Sequence, residues 1–254
     1  MTFHLTTRAV LLASALALAP AAFAETPADT LVVAHTIDDI ISLDPAQSFE
    51  FSGNDVNNNT YDRLVDFDPL NPDAGYQPSL ATEWVVAEDG LSITFTLREG
   101  VTFHSGNPVR AEDAAWSLQR AVKLDKTPAF ILTQFGFTAD NVEERITAEG
   151  NTLTLMLDKP YAPSFVLNCL TANIASVVDR ETVMANEADG DMGNAWLSTN
   201  EAGSGAYVLA AWRPNEAVQL TAYEEYWQGA PAMKRVIVRN VAESSAQRLL
   251  LEQG

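Results

Sequence analysis

The sequence predicts a protein that mixes α-helices with β-strands, because the spacing of its apolar residues changes along the chain. Residues 91–97 alternate apolar and polar side chains directly after Asp89-Gly90, a dipeptide typical of a tight hairpin turn. Residues 111–124 instead repeat apolar side chains at helical spacing. Strands and helices follow one another without strict alternation, so we expect an α+β or complex α/β protein and not a simple Rossmann sheet.

The first elements surround a long loop. A buried strand is expected at residues 30–36, where TLVVAHT is a short β-branched run. The loop that follows is rich in turn residues, and loops after buried strands often carry binding sites. Val56, Tyr61 and Leu64 then lie near helical spacing, with Asn54 as the expected N-cap residue of a short amphipathic helix.

The rest of the chain alternates hairpins with short helices. Turn residues separate apolar runs at Gly150-Asn151 and at residues 213–216, which predicts two further hairpins. In order, we expect strands within 83–103, a helix at 111–124, a hairpin at 145–158, a helix at 163–170, a strand at 172–176, a helix at 181–188, a hairpin at 206–223, a strand at 233–241 and a helix at 244–254.

Residues 1–24 have the composition of a secretory signal peptide. Arg8 follows a polar start, residues 9–19 form an apolar run, and Ala22-Phe23-Ala24 is a small-x-small cleavage site. The run is too short to span a membrane, so we expect cleavage after Ala24 and release into the periplasm. No cysteine lies near the cleavage site, so we expect no direct lipid anchor.

The formal net charge is −19 at pH 7, and the acidic residues are dispersed along the chain. A field of this sign repels nucleic acids and anionic lipid surfaces, so we expect neither as a partner. The single cysteine, Cys169, cannot form an internal disulfide and lies among apolar residues. We therefore expect a buried, unreactive thiol.

His104 and Ser105 are the residues most suggestive of catalysis, since a serine hydrolase pairs its nucleophile with a histidine base. Adjacent residues of an extended segment point in opposite directions, however, and no G-x-S-x-G elbow surrounds Ser105. The preferred interpretation is a structural connection between a hairpin strand and a helix, within residues 103–117, which we call the joint. A secreted serine hydrolase that uses both residues is the alternative.

No metal or nucleotide signature is present in the sequence. His35 and His104 are far apart, and neither paired histidine or cysteine spacing nor an EF-hand ladder occurs. Gly203-Ser204-Gly205 is a lone G-x-G without a following lysine, so we interpret it as a tight turn into the strand at Tyr207. We expect no metal and no cofactor.

Long stretches, which include His104-Ser105 and Gly203-Ser204-Gly205, carry a family pattern. They read SLDPAQSFEFSGNDVNNNTYDRLVDFDP, LATEWVVAEDGLSITFTLREGVTFHSGNPVRAEDAAWSLQRAV, LDKPYAPSF, GSGAYVLAAWRPNEAVQLTAYEEYWQGAPAMKRVIVRNV and AESSAQRLLLEQG. In this order they resemble the family 5 extracytoplasmic solute-binding proteins of ABC importers, which include dipeptide, oligopeptide and nickel binders. The resemblance covers most of residues 30–254.

This resemblance implies a class II periplasmic-binding-protein fold, in which two lobes close on a solute. Residues 25–67 and 198–254 would form segments of the first lobe, and residues 68–197 an inserted α+β subdomain. Family members are much longer, so the resemblance implies that the second lobe is missing from this sequence. The implied function is capture of di- or oligopeptides and their delivery to an ABC permease in the inner membrane, without catalysis.

By the same resemblance, the loop after the first strand lines the ligand, and its candidate binding residues are Ser48, Phe49, Glu50 and Phe51. Main-chain groups of such a loop can pair with an extended peptide whatever its side chains. An ordinary solvated loop is the competing interpretation. With half a cleft, we expect weak or absent solute binding and poor solubility, and a non-functional remnant of a binding protein is a further alternative.

Overall fold

A computed structural model describes residues 26–68 and 70–253 of the chain, so the expected signal peptide lies outside the described residues. The strands are β1 (Thr30–His35), β2 (Val65–Phe67), β3 (Tyr76–Pro78), β4 (Ala81–Val86), β5 (Ser92–Leu97), β6 (Ile146–Glu149), β7 (Thr152–Met156), β8 (Tyr207–Arg213), β9 (Ala217–Ala222) and β10 (Arg235–Asn240). They form two four-stranded sheets and one two-stranded sheet, which confirms the mixed α/β prediction.

The helices are short apart from α2. They are α1 (Phe51–Thr60), α2 (Ala111–Leu124), α3 (Phe130–Thr133), α4 (Val142–Arg145), α5 (Pro163–Leu170), α6 (Arg180–Ala185), α7 (Asn194–Leu197) and α8 (Ser244–Gln253), with 3-10 turns at Pro72–Ala74, Thr127–Ala129 and Asn173–Ala175. None of the described helices combines the length and apolar character needed to cross a lipid bilayer.

The first sheet has the strand order β1-β10-β9-β8 and joins the two ends of the described chain. Strand β1 pairs in parallel with β10, while β10, β9 and β8 are antiparallel neighbours. The predicted hairpin across residues 213–216 is confirmed, because β8 and β9 flank that turn. A small core of side chains, with Leu43, Val56, Val218 and Leu220 among its members, lies against this sheet.

The second sheet has the order β4-β5-β7-β6 and contributes to the largest core. Ile93, Phe95 and Leu97 alternate with more exposed residues along β5, as the sequence predicts, and cluster with Ala114 and Leu118 of α2. The hairpin turns predicted at Asp89-Gly90 and Gly150-Asn151 are confirmed as well. Their glycines at positions 90 and 150 have φ of +69° and +58°, a left-handed conformation that glycine adopts without strain.

Helix α1 begins earlier than the sequence predicts. Its N-cap is Glu50, whose side chain makes no capping hydrogen bond, and Asn54 is an interior residue. The carboxylate of Asp39 instead accepts a hydrogen bond from the Ser52 N–H at 3.2 Å. Sequence patterns near Asn54 could not reveal this start, because the cap comes from a residue in the preceding loop.

The strand predicted at residues 172–176 is wrong, since Asn173–Ala175 forms a 3-10 turn. The Asn173 side chain accepts a hydrogen bond from Arg63 Nη1 at 2.8 Å and donates one to the Asn54 carbonyl at 3.1 Å. These tertiary contacts override a local pattern that is too short to separate a strand from a helix.

Strand β1 forms where expected, but it is not fully buried. Leu31 and Val32 are 45% and 40% exposed. The strand lies at the edge of its sheet, and among the described residues only β10 pairs with it. A continuous apolar run is therefore compatible with an edge strand as well as with a central one.

Candidate ligand-binding site

The loop between β1 and α1 is fixed by a buried ion pair. Arg120 on α2 donates to Asp44 from Nη1 at 2.9 Å and from Nη2 at 2.6 Å, and both side chains are buried. Asp44 also accepts hydrogen bonds from the Ala46 N–H at 2.9 Å and from Asn194 Nδ2 at 2.7 Å. Each carboxylate oxygen thus has two donors, which compensates for the loss of water around a buried charge.

Further contacts connect Arg120 and the loop to residues 192–198, which follow the second sheet in the sequence. Arg120 Nε donates to the Met192 carbonyl at 2.8 Å, so all three of its nitrogens are engaged. The Leu43 N–H donates to the Ser198 carbonyl at 3.0 Å. The loop follows β1 in the sequence, but its position is set by α2 and by residues 192–198.

Two of the four predicted ligand residues, Ser48 and Glu50, shape the loop. Ser48 is buried, and its N–H donates to the Asp44 carbonyl at 2.7 Å. Glu50 Oε2 accepts hydrogen bonds from the Phe49 N–H at 3.0 Å and from Ser48 Oγ at 3.4 Å. The Glu50 carboxylate therefore has internal partners that stabilise the turn before α1.

The other two predicted residues, Phe49 and Phe51, face outward. Phe51 is 88% exposed and Phe49 is 48% exposed, which is unusual for phenylalanine in a folded domain. The Phe49 ring packs edge to face against Phe130 of α3, with ring centroids 5.8 Å apart. Exposed aromatic rings on an anchored loop provide apolar contact area for a ligand.

A cavity of about 490 Å³ opens beside this loop. Its lining combines apolar groups with amide and charged side chains. The lining residues are Ser48, Phe49, Asn54, Asn58, Arg63, Asp66, Phe67, Pro128, Ile131, Thr171, Ala172, Asn173 and Ile174. Two of the four predicted site residues, at positions 48 and 49, thus share one cavity, whereas positions 50 and 51 do not line it.

Arg63 is the cationic residue in this lining and is only 7% exposed. Its Nη1 donates to Asn58 Oδ1 at 2.9 Å and to Asn173 Oδ1 at 2.8 Å, and its Nη2 donates to Asp66 Oδ2 at 3.3 Å. The guanidinium is held by two neutral amides and one carboxylate. The cavity wall therefore offers polar groups of both hydrogen-bonding types beside an aromatic edge.

The sequence did not reveal the contributions of Arg63, Asn173 and Phe130 to this region. Thr127-Pro128 is a helix-start signal that could have placed Phe130 on a short helix, but no pattern indicates its contact with Phe49. Asn173 is brought to the cavity by the 3-10 turn where a strand was predicted, and Arg63, which lies between α1 and β2, donates to it there.

His104 and Ser105 do not form a catalytic pair. Ser105 Oγ donates to Asp179 Oδ2 at 2.6 Å, whereas His104 Nδ1 lies 2.8 Å from Glu201 Oε1 and Nε2 lies 2.9 Å from the Gly205 carbonyl oxygen. Both ring nitrogens of His104 thus face acceptors other than the serine, so the ring is not placed to take its proton. This arrangement favours the structural joint.

The Gly203-Ser204-Gly205 segment has a different role from the tight turn predicted for it. Neither glycine has positive φ. A Cβ atom on Gly203 would lie 1.9 Å from the Thr60 carbonyl oxygen, and one on Gly205 would lie 2.6 Å from the Thr60 carbonyl carbon. Glycine is required because the segment packs directly on the last turn of α1.

Cys169 is buried, as predicted, and burial raises the pKa of its thiol despite a hydrogen bond from Gln134. Such a thiol is a poor nucleophile at neutral pH. Within residues 26–68 and 70–253, no group of three or more His, Cys, Asp or Glu side chains is arranged to hold a metal ion.

Comparison with known proteins gives a single family. A family profile described as "Bacterial extracellular solute-binding proteins, family 5 Middle" matches residues 75–254. "Probable D,D-dipeptide-binding periplasmic protein DdpA" of Escherichia coli is 31% identical over 237 residues, which are 92% of this chain and 44% of that protein. "Heme-binding protein A" of Haemophilus influenzae is 29% identical over 209 residues, covering 76% of this chain and 37% of that protein.

A solved structure is similar as well. The periplasmic binding protein DppA of Helicobacter pylori, in complex with the peptide STSA, superposes with a TM-score of 0.71 and 28% identity, covering 89% of this chain and 45% of that chain. The expected class II fold is thereby confirmed. The chain spans less than half the length of these relatives. It belongs to the family 5 bacterial extracellular solute-binding proteins.

Proposed function

We propose that this chain is part of the periplasmic solute-binding component of an ABC importer, which captures di- or oligopeptides and delivers them to a permease in the inner membrane. The observation that carries the proposal is a pair of exposed rings at the end of a loop fixed by the buried Asp44–Arg120 pair, with Phe49 in the loop and Phe51 at the first position of α1. A binding surface needs apolar contact area on a rigid support, and this loop has both.

Peptides are favoured over the other solutes named for relatives. Relatives and structural neighbours include heme-binding and nickel-binding proteins as well as peptide binders. The cavity beside Phe49 is lined by the amide side chains of Asn54 and Asn58, whose groups match the donors and acceptors of a peptide backbone, whereas the Asn173 amide is already paired with Arg63 and the Asn54 carbonyl. Of the two histidines in the described residues, His104 already has acceptors at both ring nitrogens, which argues against its use as a nickel ligand.

A panel of solutes tests the proposal. Isothermal titration is carried out with a dipeptide, a tetrapeptide, a nickel–histidine complex and hemin. Peptides are expected to bind weakly, and Phe51→Ala is expected to reduce their affinity several-fold because an exposed contact ring is lost. Leu70→Ala, a change at a residue that is 94% exposed and does not line the cavity, is the matched control.

Two results would contradict the proposal. One is binding of hemin or nickel–histidine without binding of either peptide. The other is an equal loss of peptide affinity in the Phe51 and Leu70 variants. The hydrolase alternative is checked in the same samples, since peptide cleavage that disappears in Ser105→Ala would show an enzyme.

A further inference from the structure

The ring of His104 lies between two acceptors at the joint that leads into α2. Its Nδ1 is 2.8 Å from Glu201 Oε1 and 2.9 Å from Oε2, and its Nε2 is 2.9 Å from the carbonyl oxygen of Gly205. The side chain is only 6% exposed, so water does not readily replace these partners. The ring therefore connects the joint to the segment 201–205 through two hydrogen bonds.

Both of these hydrogen bonds require a proton on the ring. A carboxylate and a carbonyl only accept, and a neutral imidazole has a single N–H. The imidazolium form has two, so it alone can donate to Glu201 and to Gly205 at the same time. Loss of the proton leaves one nitrogen lone pair facing an oxygen at hydrogen-bond distance, which is repulsive.

We propose that His104 is a proton-dependent latch, which as an imidazolium holds the segment 201–205 against the joint and against the last turn of α1. The main chain extends the latch in both directions. The His104 N–H donates to the Gly203 carbonyl at 2.9 Å, and the Gly205 N–H donates to the Thr60 carbonyl at 3.0 Å. Since α1 begins at Phe51, the latch supports the helix that follows the candidate ligand loop.

The groups around the ring favour its charged form. Glu201 is held in place because its Oε2 also accepts the Gly203 N–H at 2.7 Å. Asp62 adds a second negative charge to the surroundings of His104. From the other elements, the Tyr223 ring packs edge to face at 4.9 Å, and Tyr61 lies near Glu201 and accepts the Ala202 N–H at 3.2 Å through its hydroxyl oxygen.

The electrostatic balance agrees with this geometry. Burial alone lowers the pKa of His104, but the hydrogen bond and charge of Glu201 and the Gly205 carbonyl raise it above its ordinary value of 6.5. A raised folded-state pKa contributes stability that is fully present below the unfolded-state pKa. That contribution is lost as the pH rises through the folded-state pKa.

The first test is an NMR titration of the histidine ring nitrogens in the wild-type chain. The double change His4→Gln and His35→Gln assigns the His104 signals, because it leaves His104 as the one histidine of the three in the sequence. The expected result is an imidazolium that persists above pH 6.5, with both ring protons visible. A His104 ring that is neutral at pH 6, or that titrates below 6.5, would overturn the proposal without the need for any variant at the latch.

The second test measures whether the proton controls the segment. Hydrogen exchange is followed at the amides of residues 104, 203 and 205 between pH 6 and pH 9, with correction for intrinsic exchange rates. Protection is expected to fall as the pH rises, by about tenfold for each unit by which the folded-state pKa exceeds 6.5 if these amides exchange through latch opening. Unchanged corrected protection across this range would contradict the latch.

Glu201→Gln separates the charge from the packing. Glutamine retains an acceptor for one ring N–H but carries no negative charge, so the titration of His104 is expected to move to lower pH and the pH dependence of protection to weaken. Ser105→Ala, which removes the neighbouring hydrogen bond to Asp179, is the control and is expected to leave the His104 titration in place. An equal shift in both variants would contradict a specific role for Glu201.

Discussion

The two four-stranded sheets differ in how completely the described residues cover them. The sheet β4-β5-β7-β6 belongs to a large core that includes α2, and Phe95 and Leu153 within it are fully buried. The sheet β1-β10-β9-β8 has a small core. Leu31 on β1 and Leu251 on the helix α8 are exposed. One chain thus joins a well-packed core to the only partly covered sheet β1-β10-β9-β8, which we call the open sheet.

This difference explains where the candidate site obtains its rigidity. The loop that contains Phe49 and leads to Phe51 at the start of α1 follows strand β1 of the open sheet in sequence, but the buried Asp44–Arg120 pair attaches the loop to α2. Helix α2 is in turn packed in the larger core. The better-packed part of the molecule therefore positions the loop, while the open sheet contributes the strand that leads into it.

The largest effect is expected from breaking that attachment. Arg120→Met leaves Asp44 as a buried carboxylate without its cationic partner, which should lower the free energy of unfolding by about 3–5 kcal/mol. Urea denaturation of wild-type and variant chains measures it. Arg213→Gln, in an ion pair whose partners are about two-thirds exposed, is the control and should cost roughly 0–1 kcal/mol. Similar losses in both variants would contradict the assigned role of Arg120.

A matched pair of leucines compares the two cores directly. Leu155→Ala removes a side chain from the larger core and should lower the free energy of unfolding by about 2–5 kcal/mol. Leu220→Ala should cost less, because Leu220 already borders a cavity of about 410 Å³, and the side of a residue that faces a cavity has no atoms to pack against. Urea denaturation again provides the measurement. An equal or larger loss for Leu220→Ala would show that the open sheet is as well packed as the other.

The smallest effect is expected at the start of α2. Burial raises the pKa of Asp113 to about 6, and the nearby Asp179 adds to the shift, while the hydrogen bond from the Arg110 N–H opposes it. The folded state thus favours protonated Asp113, so this stabilising contribution is present below the unfolded-state pKa and is lost as the pH rises through about 6.

Relative to wild type, Asp113→Asn should therefore raise the free energy of unfolding by more at pH 7 than at pH 4.5. Because Asp113 is partly exposed and lies at a helix N-terminus, screening and the helix dipole should keep the difference below about 1 kcal/mol. Urea midpoints at the two pH values measure it. A variant that loses stability at pH 7 would show that the dipole outweighs burial at this position.

Much of the fold could be predicted from periodicity and turn chemistry. The alternation along β5 and the glycine turns at positions 90 and 150 are local signals, and the helix at 111–124 was predicted with its observed bounds. The start of α1 and the turn at Asn173 could not be found in this way. Both depend on hydrogen bonds with residues outside the local pattern: the Ser52 N–H donates to Asp39, and Arg63 donates to Asn173.

The site was predictable only in part, for the same reason. The family resemblance pointed to the loop at residues 48–51, but it could not show that Glu50 stabilises the loop internally while Phe51 faces outward. Nor could it identify Arg120 as the residue that anchors Asp44, because the two are brought together only by tertiary packing. The division of the chain into first-lobe segments and an inserted subdomain stays a prediction.

Mapping of peptide contacts by amide NMR shifts tests the central claim most directly. The 254-residue chain is titrated with a tetrapeptide to millimolar concentration, with Phe51→Ala as a parallel sample. We expect shifts concentrated at residues 47–52 and around the cavity lined by Phe49 and Asn173, and a weaker response in the variant. Shifts confined to other surfaces, such as the segment from Ser105 to Asp113, or an unchanged response in Phe51→Ala would contradict it.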